Sequence, residues 1–269
     1  MSLRIQTNTA AFDAERNLSA TSDRMQKSMA RLSSGYRINS AADDAAGLAI
    51  SEKLRAQIGG LDQAGRNVSD AVSLVQTAEG QLNEVHSMLQ RVRELAVQYK
   101  NGTLSTEDRT AIQSEVNQLG SEIQRIGTAA AFNGISLLAS AGTITFQVGA
   151  NDGDSIAVST ISLGSAVSSG VFDLSVNGTT DISEIDDAIN SVSAQRSTFG
   201  SVQNRLEHTA NNLSTYQENL TASESQIRDV DMAAEMVEFT KLSILQQAGT
   251  AMLAQANQTP QSVLALLKG

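Results

Sequence analysis

Residues 40–100, SAADDAAGLAISEKLRAQIGGLDQAGRNVSDAVSLVQTAEGQLNEVHSMLQRVRELAVQYK, settle the fold class. Leu54, Leu61, Val68, Val75, Leu82, Leu89 and Ala96 recur every seven residues, with Ile58, Val72, Val85 and Val92 three or four residues from them. Such a stripe keeps one side of a long helix apolar, and a sustained seven-residue period winds that helix around a partner. No proline interrupts the run. Ser40 with Asp43 predicts a capping box at its start, and Asn101-Gly102 a left-handed stop at its end. About sixty residues at about 1.5 Å each make a rod of about 90 Å.

Before the rod, Ala11, Leu18, Met25 and Leu32 repeat by seven, and Ser33-Ser34-Gly35 breaks the pattern. After it, Ser105 and Asp108 open a second helix whose seam reads Ile112, Val116, Leu119, Ile123 and Ile126. The short connection makes that helix antiparallel to the rod, and Phe132-Asn133-Gly134 closes it. Ile144, Phe146 and Val148 alternate, as do Ile156 and Val158, about Asn151-Asp152-Gly153-Asp154, which reads as a β-hairpin. Val171–Val176 is a further candidate strand. From Ile185 a second seven-residue series runs through Val192, Phe199, Leu206, Leu213 and Leu220 to Ile227, with Arg196, Gln203 and Gln217 beside the seam. Met232, Met236, Phe239, Leu242, Leu245, Met252, Leu253 and Ala256 continue the apolar pattern, and Thr259-Pro260 sets off a last turn.

The expected fold is therefore mainly α. It is a long antiparallel coiled-coil helix bundle with a small β-hairpin region near residues 140–180, its N- and C-terminal helices paired. Residues 1–40 and 230–269 form a terminal helical domain, and residues 41–229 the rod-like bundle.

Composition narrows the function. The net charge of −10 argues against general binding to nucleic acid or an anionic membrane. Zero cysteines exclude a disulfide framework and thiolate chemistry. MSLRIQTNTAAF lacks the basic-then-apolar pattern of a cleaved signal peptide, and no run of apolar residues is long enough to span a membrane. His86 and His208 stand alone with no HExxH run, so they read as helix-surface residues and no metal or other cofactor is expected. Asp43-Asp44 face different sides of a helix and suit its N-terminus better than catalysis. Nothing here supports an enzyme.

The terminal segments point to assembly. Burying a Leu, Ile or Met side chain contributes about 1.5–3 kcal/mol, while ordering a residue costs about 1–2 kcal/mol. Two narrow stripes among many Ala, Ser, Thr and Gln residues sit near break-even alone, and packing against further copies buries both faces. A head-to-tail contact that does not close into a ring gives a helical filament.

The runs RLSSGYRINSAADDAAGLAISEKLRAQIGGLDQAGRN (Arg31–Asn67), LQRVRELAVQ (Leu89–Gln98), FNGISLL (Phe132–Leu138) and LAQANQTPQSVLALLKG (Leu253–Gly269) closely resemble bacterial flagellin. The resemblance covers roughly Met1–Ala139 and Gln195–Gly269 and lacks the large outer domains of longer members. It implies a subunit of the flagellar filament for swimming motility, exported unfolded by the flagellar type III apparatus and polymerised extracellularly at the tip. The terminal domain would form the inner tube, and Leu18, Met25, Leu32, Leu245, Met252, Val263 and Leu267 would carry assembly. Implied partners are further copies of the chain, an export chaperone, the cap and hook-associated proteins. The resemblance also implies recognition by the innate-immune Toll-like receptor for flagellin, through Gln90, Arg91, Arg93, Glu94, Leu95, Gln98 and Glu115, or axial subunit contacts by the same residues. Helical spacing puts Arg91, Glu94, Leu95 and Gln98 on one side of the rod. Hook–filament junction proteins share related termini and are the nearest alternative; an adhesin or a filament-associated enzyme is more remote.

Overall fold

The computed structural model describes residues 8–167, 172–174 and 181–268, and of residues 181 and 259–268 the backbone alone. The elements are α1 (Thr9–Ser34), α2 (Ala45–Tyr99), α3 (Thr106–Ala129), β1 (Ala131–Phe132), β2 (Ile135–Ser136), β3 (Gly142–Gln147), β4 (Ser155–Thr160), α4 (Leu163–Ala166), α5 (Asp181–Arg228) and α6 (Met232–Lys268). They fall into two units, Gln57–Glu218 and Met1–Ala56 with Asn219–Gly269, so that the division lies within α2 and within α5.

In the Gln57–Glu218 unit the seam of α2 is built from Leu61, Val68, Val75, Leu82, Leu89 and Ala96 alternating with Ala64, Ala71, Ala78, Val85 and Val92, all buried. The second row is mostly alanine, which lets helix axes approach. α3 packs antiparallel to α2, since Arg91 pairs with Glu115 while Arg109 stacks over Tyr99. α5 is also antiparallel to α2, with Arg93 pairing Asp186 and Glu79 pairing Arg196. Its seam is Ile185, Ala188, Val192, Gln195, Phe199, Val202, Leu206 and Leu213.

The seam of α3 departs from expectation. Ile112, Val116 and Ile123 are buried, but the remaining buried positions are Gly120 and Gly127, while Leu119 and Ile126 are only half-buried. A Cβ on Gly120 would stand 2.6 Å from the Phe172 ring, and one on Gly127 3.3 Å from Leu163. The glycines are notches that admit those side chains. Ser105 and Asp108 do form a reciprocal capping box at the start of α3.

β3 and β4 pair antiparallel, with Ile144 opposite Val158 and Phe146 opposite Ile156, as the alternation predicts. Gly153 at φ +96° makes the turn. The hairpin is held to both long helices: Gln195 Nε2 donates to the Ser159 carbonyl at 2.7 Å, and Asn67 Nδ2 to that of Gln147 at 2.9 Å. A second, smaller hairpin joins β1 to β2 through Asn133 and Gly134, both at positive φ, as a two-residue turn of the primed type requires. In the expected strand at Val171–Val176, Phe172 and Leu174 are buried outside any strand, and its other residues except Asp173 lie outside the described ones.

Helix ends differ from the sequence reading in three places. Ser40 and Asp43 close a turn ahead of α2, and the helix is capped instead by Asp44, whose Oδ1 accepts from Gly47 N at 2.9 Å. Neither Asn101 nor Gly102 has positive φ; α2 ends through a bond from Asn101 N to the Gln98 carbonyl. α6 runs unbroken past Thr259 and Pro260 to Lys268.

In the other unit α1 and α6 form the expected antiparallel pair. Leu18 meets Gly249, Arg31 lies 3.7 Å from Glu235, and Asn8 Nδ2 donates to the Ala256 carbonyl at 2.7 Å. That last bond meets a need that Pro260 creates within α6. Pro260 has no N–H for the carbonyl four residues earlier, and Asn8 supplies the missing donor. Asn8 also caps α1, its Oδ1 accepting from Ala11 N at 3.1 Å. Gly35 ends α1 in the left-handed conformation at φ +76°.

Candidate assembly surface

The half-buried line of α1 is Ala11, Ala14, Leu18, Met25 and Leu32, with Ser28 the buried member. It meets a line on α6 made of Glu235, Phe239, Leu242, Gly249, Leu253 and Ala256. Leu18, Met25 and Leu32 therefore serve first to hold the two helices together. α1 covers only this one line of α6. Val237 is 70% exposed, Met252 65%, and Met232, Met236, Ile244 and Leu245 are exposed as well. By the helical period Val237 and Ile244 point away from α1, while Leu245 and Met252 flank the covered line. Large apolar side chains exposed on several sides of one helix, here interleaved with Lys241, Gln247 and Gln255, mark surface suited to a further partner. Phe12 and Met29 add exposed apolar surface on α1. The side chains of Val263 and Leu267 lie outside the described ones.

A clasp closes this pair at its inner end. Tyr36 and Asp229 form an isolated antiparallel bridge, Arg37 N donates to the Arg228 carbonyl at 2.7 Å, and Val230 N to that of Gly35 at 3.0 Å. The Arg228 guanidinium stacks 4.8 Å from the Tyr36 ring and donates to Glu52 at 2.6 Å. That bond holds the Glu52 carboxyl below the usual carboxylate range. Sequence reasoning missed the clasp because its two strands lie about 190 residues apart, with no local signal in either.

In the Gln57–Glu218 unit the other expected site residues separate into three groups. Arg91 donates to Glu115 at 3.0 Å and Glu94 at 3.2 Å, an exposed three-member ion cluster bridging α2 and α3. Glu115, then Glu94, raise the pKa of Arg91. Arg93 faces the other way and binds Asp186 on α5 at 2.6 Å. Leu95 lies between these two sides and is 2% exposed, so it belongs to the core and not to the surface shared by Arg91, Glu94 and Gln98. Gln90 is exposed and hydrogen-bonds His86 at 2.9 Å. His208 lines an open cleft of about 660 Å³ with Arg205, Tyr216 and the β3–β4 turn. Among the described residues no helix is long and apolar enough to cross a membrane.

Comparison with known proteins bears on the whole chain. Residues 5–143 match the family described as the bacterial flagellin N-terminal helical region, and residues 182–267 the bacterial flagellin C-terminal helical region. A flagellin of Halalkalibacterium halodurans is 52% identical over 98% of this chain and 99% of its own length. A flagellin of Bacillus subtilis is 47% identical over 99% of this chain and 100% of its own. The flagellar filament 33 kDa core protein of Treponema phagedenis is 46% identical over 98% and 99%. The crystal structure of Bacillus cereus flagellin superposes with a TM-score of 0.52 at 33% identity, covering 59% of this chain and 94% of that one. With matches at both ends and along nearly all of its length, the chain belongs to the bacterial flagellin family, whose members are structural proteins and not enzymes.

Proposed function

We propose that this chain is the subunit that polymerises into the extracellular flagellar filament, and that it does so through its terminal helix pair. One observation carries the reading: α6 exposes Met232, Met236, Val237, Ile244, Leu245 and Met252 on sides that α1 does not cover. Full burial of each exposed Val, Ile, Leu or Met contributes about 1.5–3 kcal/mol, so Val237, Ile244, Leu245 and Met252 supply a subunit contact of useful strength. Val263 and Leu267 extend the same pattern in sequence. Residues 1–40 and 230–269 then form the filament core, and residues 41–229 the layer around it. An apolar helix left uncovered invites aggregation, which supports export in the unfolded state, a protecting chaperone for the C-terminal segment, and capped assembly at the tip beyond the hook-associated proteins. The relatives reported above are flagellins or filament core proteins, which favours a filament subunit over a hook–filament junction protein.

The decisive experiment is elongation of purified protein on filament fragments. Val237→Glu with Ile244→Glu should abolish elongation while circular dichroism of the monomer is unchanged. Normal elongation of that variant overturns the reading.

The exposed Arg91–Glu94–Glu115 cluster supports a second role as a ligand of the innate-immune Toll-like receptor for flagellin, with Gln90 and Gln98 beside it. Arg93 would contribute at the margin and Leu95 by holding α2 in place. Arg91→Ala with unchanged receptor signalling would defeat that reading.

A further inference from the structure

We propose that Met29, Met232, Met236 and Met252 are oxidation sites, and that converting their thioethers to sulfoxides in the free subunit switches off its assembly. The effect on assembly rests on the filament reading above; the oxidation sites themselves do not.

The distribution of sulfur carries the inference. The chain has no cysteine and no tryptophan, so its seven methionines are its softest, most readily oxidised side chains. Six of the seven fall in the unit formed by residues 1–56 and 219–269. Four of these are between 45% and 65% exposed, namely Met29 on α1 and Met232, Met236 and Met252 on α6. Met25 is half-buried in the α1–α6 line, and Met88, in the other unit, is half-buried as well. Among the described methionines, an oxidant meeting a free subunit therefore reaches these four sulfurs before those of Met25 and Met88.

The chemistry needs only a peroxide. A lone pair on sulfur attacks one peroxide oxygen, the O–O bond breaks and an S–O bond forms. The proton on the transferred oxygen passes to the departing hydroxide, which leaves as water. The thioether gives up two electrons and the peroxide is reduced by two, one equivalent per methionine. The product is polar where the surface must shed water, and a sulfoxide buried without a hydrogen-bond partner opposes the contact. Once a subunit is packed, its neighbours cover these sulfurs and shield them. Oxidation thus acts on subunits before incorporation and leaves finished polymer intact.

The test uses full-length protein and hydrogen peroxide. Peptide mass spectrometry should show the four methionines oxidising in the monomer well ahead of Met88, and slowing at least about tenfold in polymer. Oxidised monomer should need about tenfold or more higher concentration to elongate seeds, and treatment with methionine sulfoxide reductase should restore it. Elongation of M29L/M232L/M236L/M252L, read as the ratio of treated to untreated protein, should stay near one. Equal oxidation rates in monomer and polymer, Met88 reacting as fast as the four, or the same loss in the leucine variant would each overturn the proposal. If untreated wild-type protein does not elongate at all, the filament reading fails, and the oxidation map of the monomer still decides whether these four are the reactive sites.

Discussion

Asn8 donates its side-chain amide to the Ala256 carbonyl at 2.7 Å, the one acceptor in α6 that Pro260 leaves without its usual helical donor. The same side chain caps α1 with its oxygen. One residue near the N-terminus thus completes two helices. Asn8→Asp keeps the cap and loses the donor, and should cost the terminal pair about 1 kcal/mol. Asn8→Ala loses both functions and should cost about 2 kcal/mol. Amide hydrogen exchange along α1 and around Ala256 reads the two effects separately.

Two glycine-to-alanine substitutions should have opposite signs. At Gly120 the new methyl meets the Phe172 ring at 2.6 Å, and overpacking should destabilise by about 1–3 kcal/mol. At Gly80 on α2 nothing lies within 4 Å, and Gly80→Ala should stabilise by about 0.5–1 kcal/mol through the unfolded chain. Urea unfolding of each variant measures the difference.

The capping box of α3 confers a pH dependence whose direction is fixed. Hydrogen bonds from the Ser105 hydroxyl and backbone N–H lower the Asp108 pKa from its ordinary 3.8. A carboxylate depressed in the folded state contributes its stabilisation fully above the unfolded value, and loses it as pH falls through the folded one. Acidification below about pH 4 should therefore fray the start of α3. In Asp108→Asn that part of the pH profile should be flat, as followed by exchange at the first-turn amides.

Gln195 is a polar side chain in an otherwise apolar seam, 6% exposed, and its amide donates to the Ser159 carbonyl. Gln195→Leu fits the seam but leaves that carbonyl unmet, and should cost about 1–3 kcal/mol. Faster amide exchange in β4, with the helices unaffected, is the expected signature.

Much of this was legible in the sequence because it is periodic. The seven-residue series of α2 and α5, the Ser105–Asp108 box and the β3–β4 alternation are local patterns set by burial on one face. Other features carry no such signal. Gly120 and Gly127 have no hydropathy to announce them as core, yet their missing side chains are what Phe172 and Leu163 require. Ala64, Ala71 and Ala78 are too weakly apolar to stand out from the alanines around them. Leu95 is buried because α2 is flanked by both α3 and α5, which widens its covered face beyond the single stripe that spacing predicts. Asp43 does reach back to Ser40 as the box requires, but that pair closes a turn and Asp44 meets Gly47 N, a choice between neighbouring starts that spacing does not decide. Contacts such as Arg228 with Tyr36, or Arg93 with Asp186, join residues far apart in the chain and become visible only once it is folded.

The bond between Asn8 and Ala256 spans 248 positions. Closing so large a loop costs entropy before any contact returns it, so α1 must wait for nearly all of the polypeptide before it finds its partner. The buckle between the chain's extremities can therefore fasten only when synthesis is all but finished, and until then the apolar line of each helix goes without the other's cover.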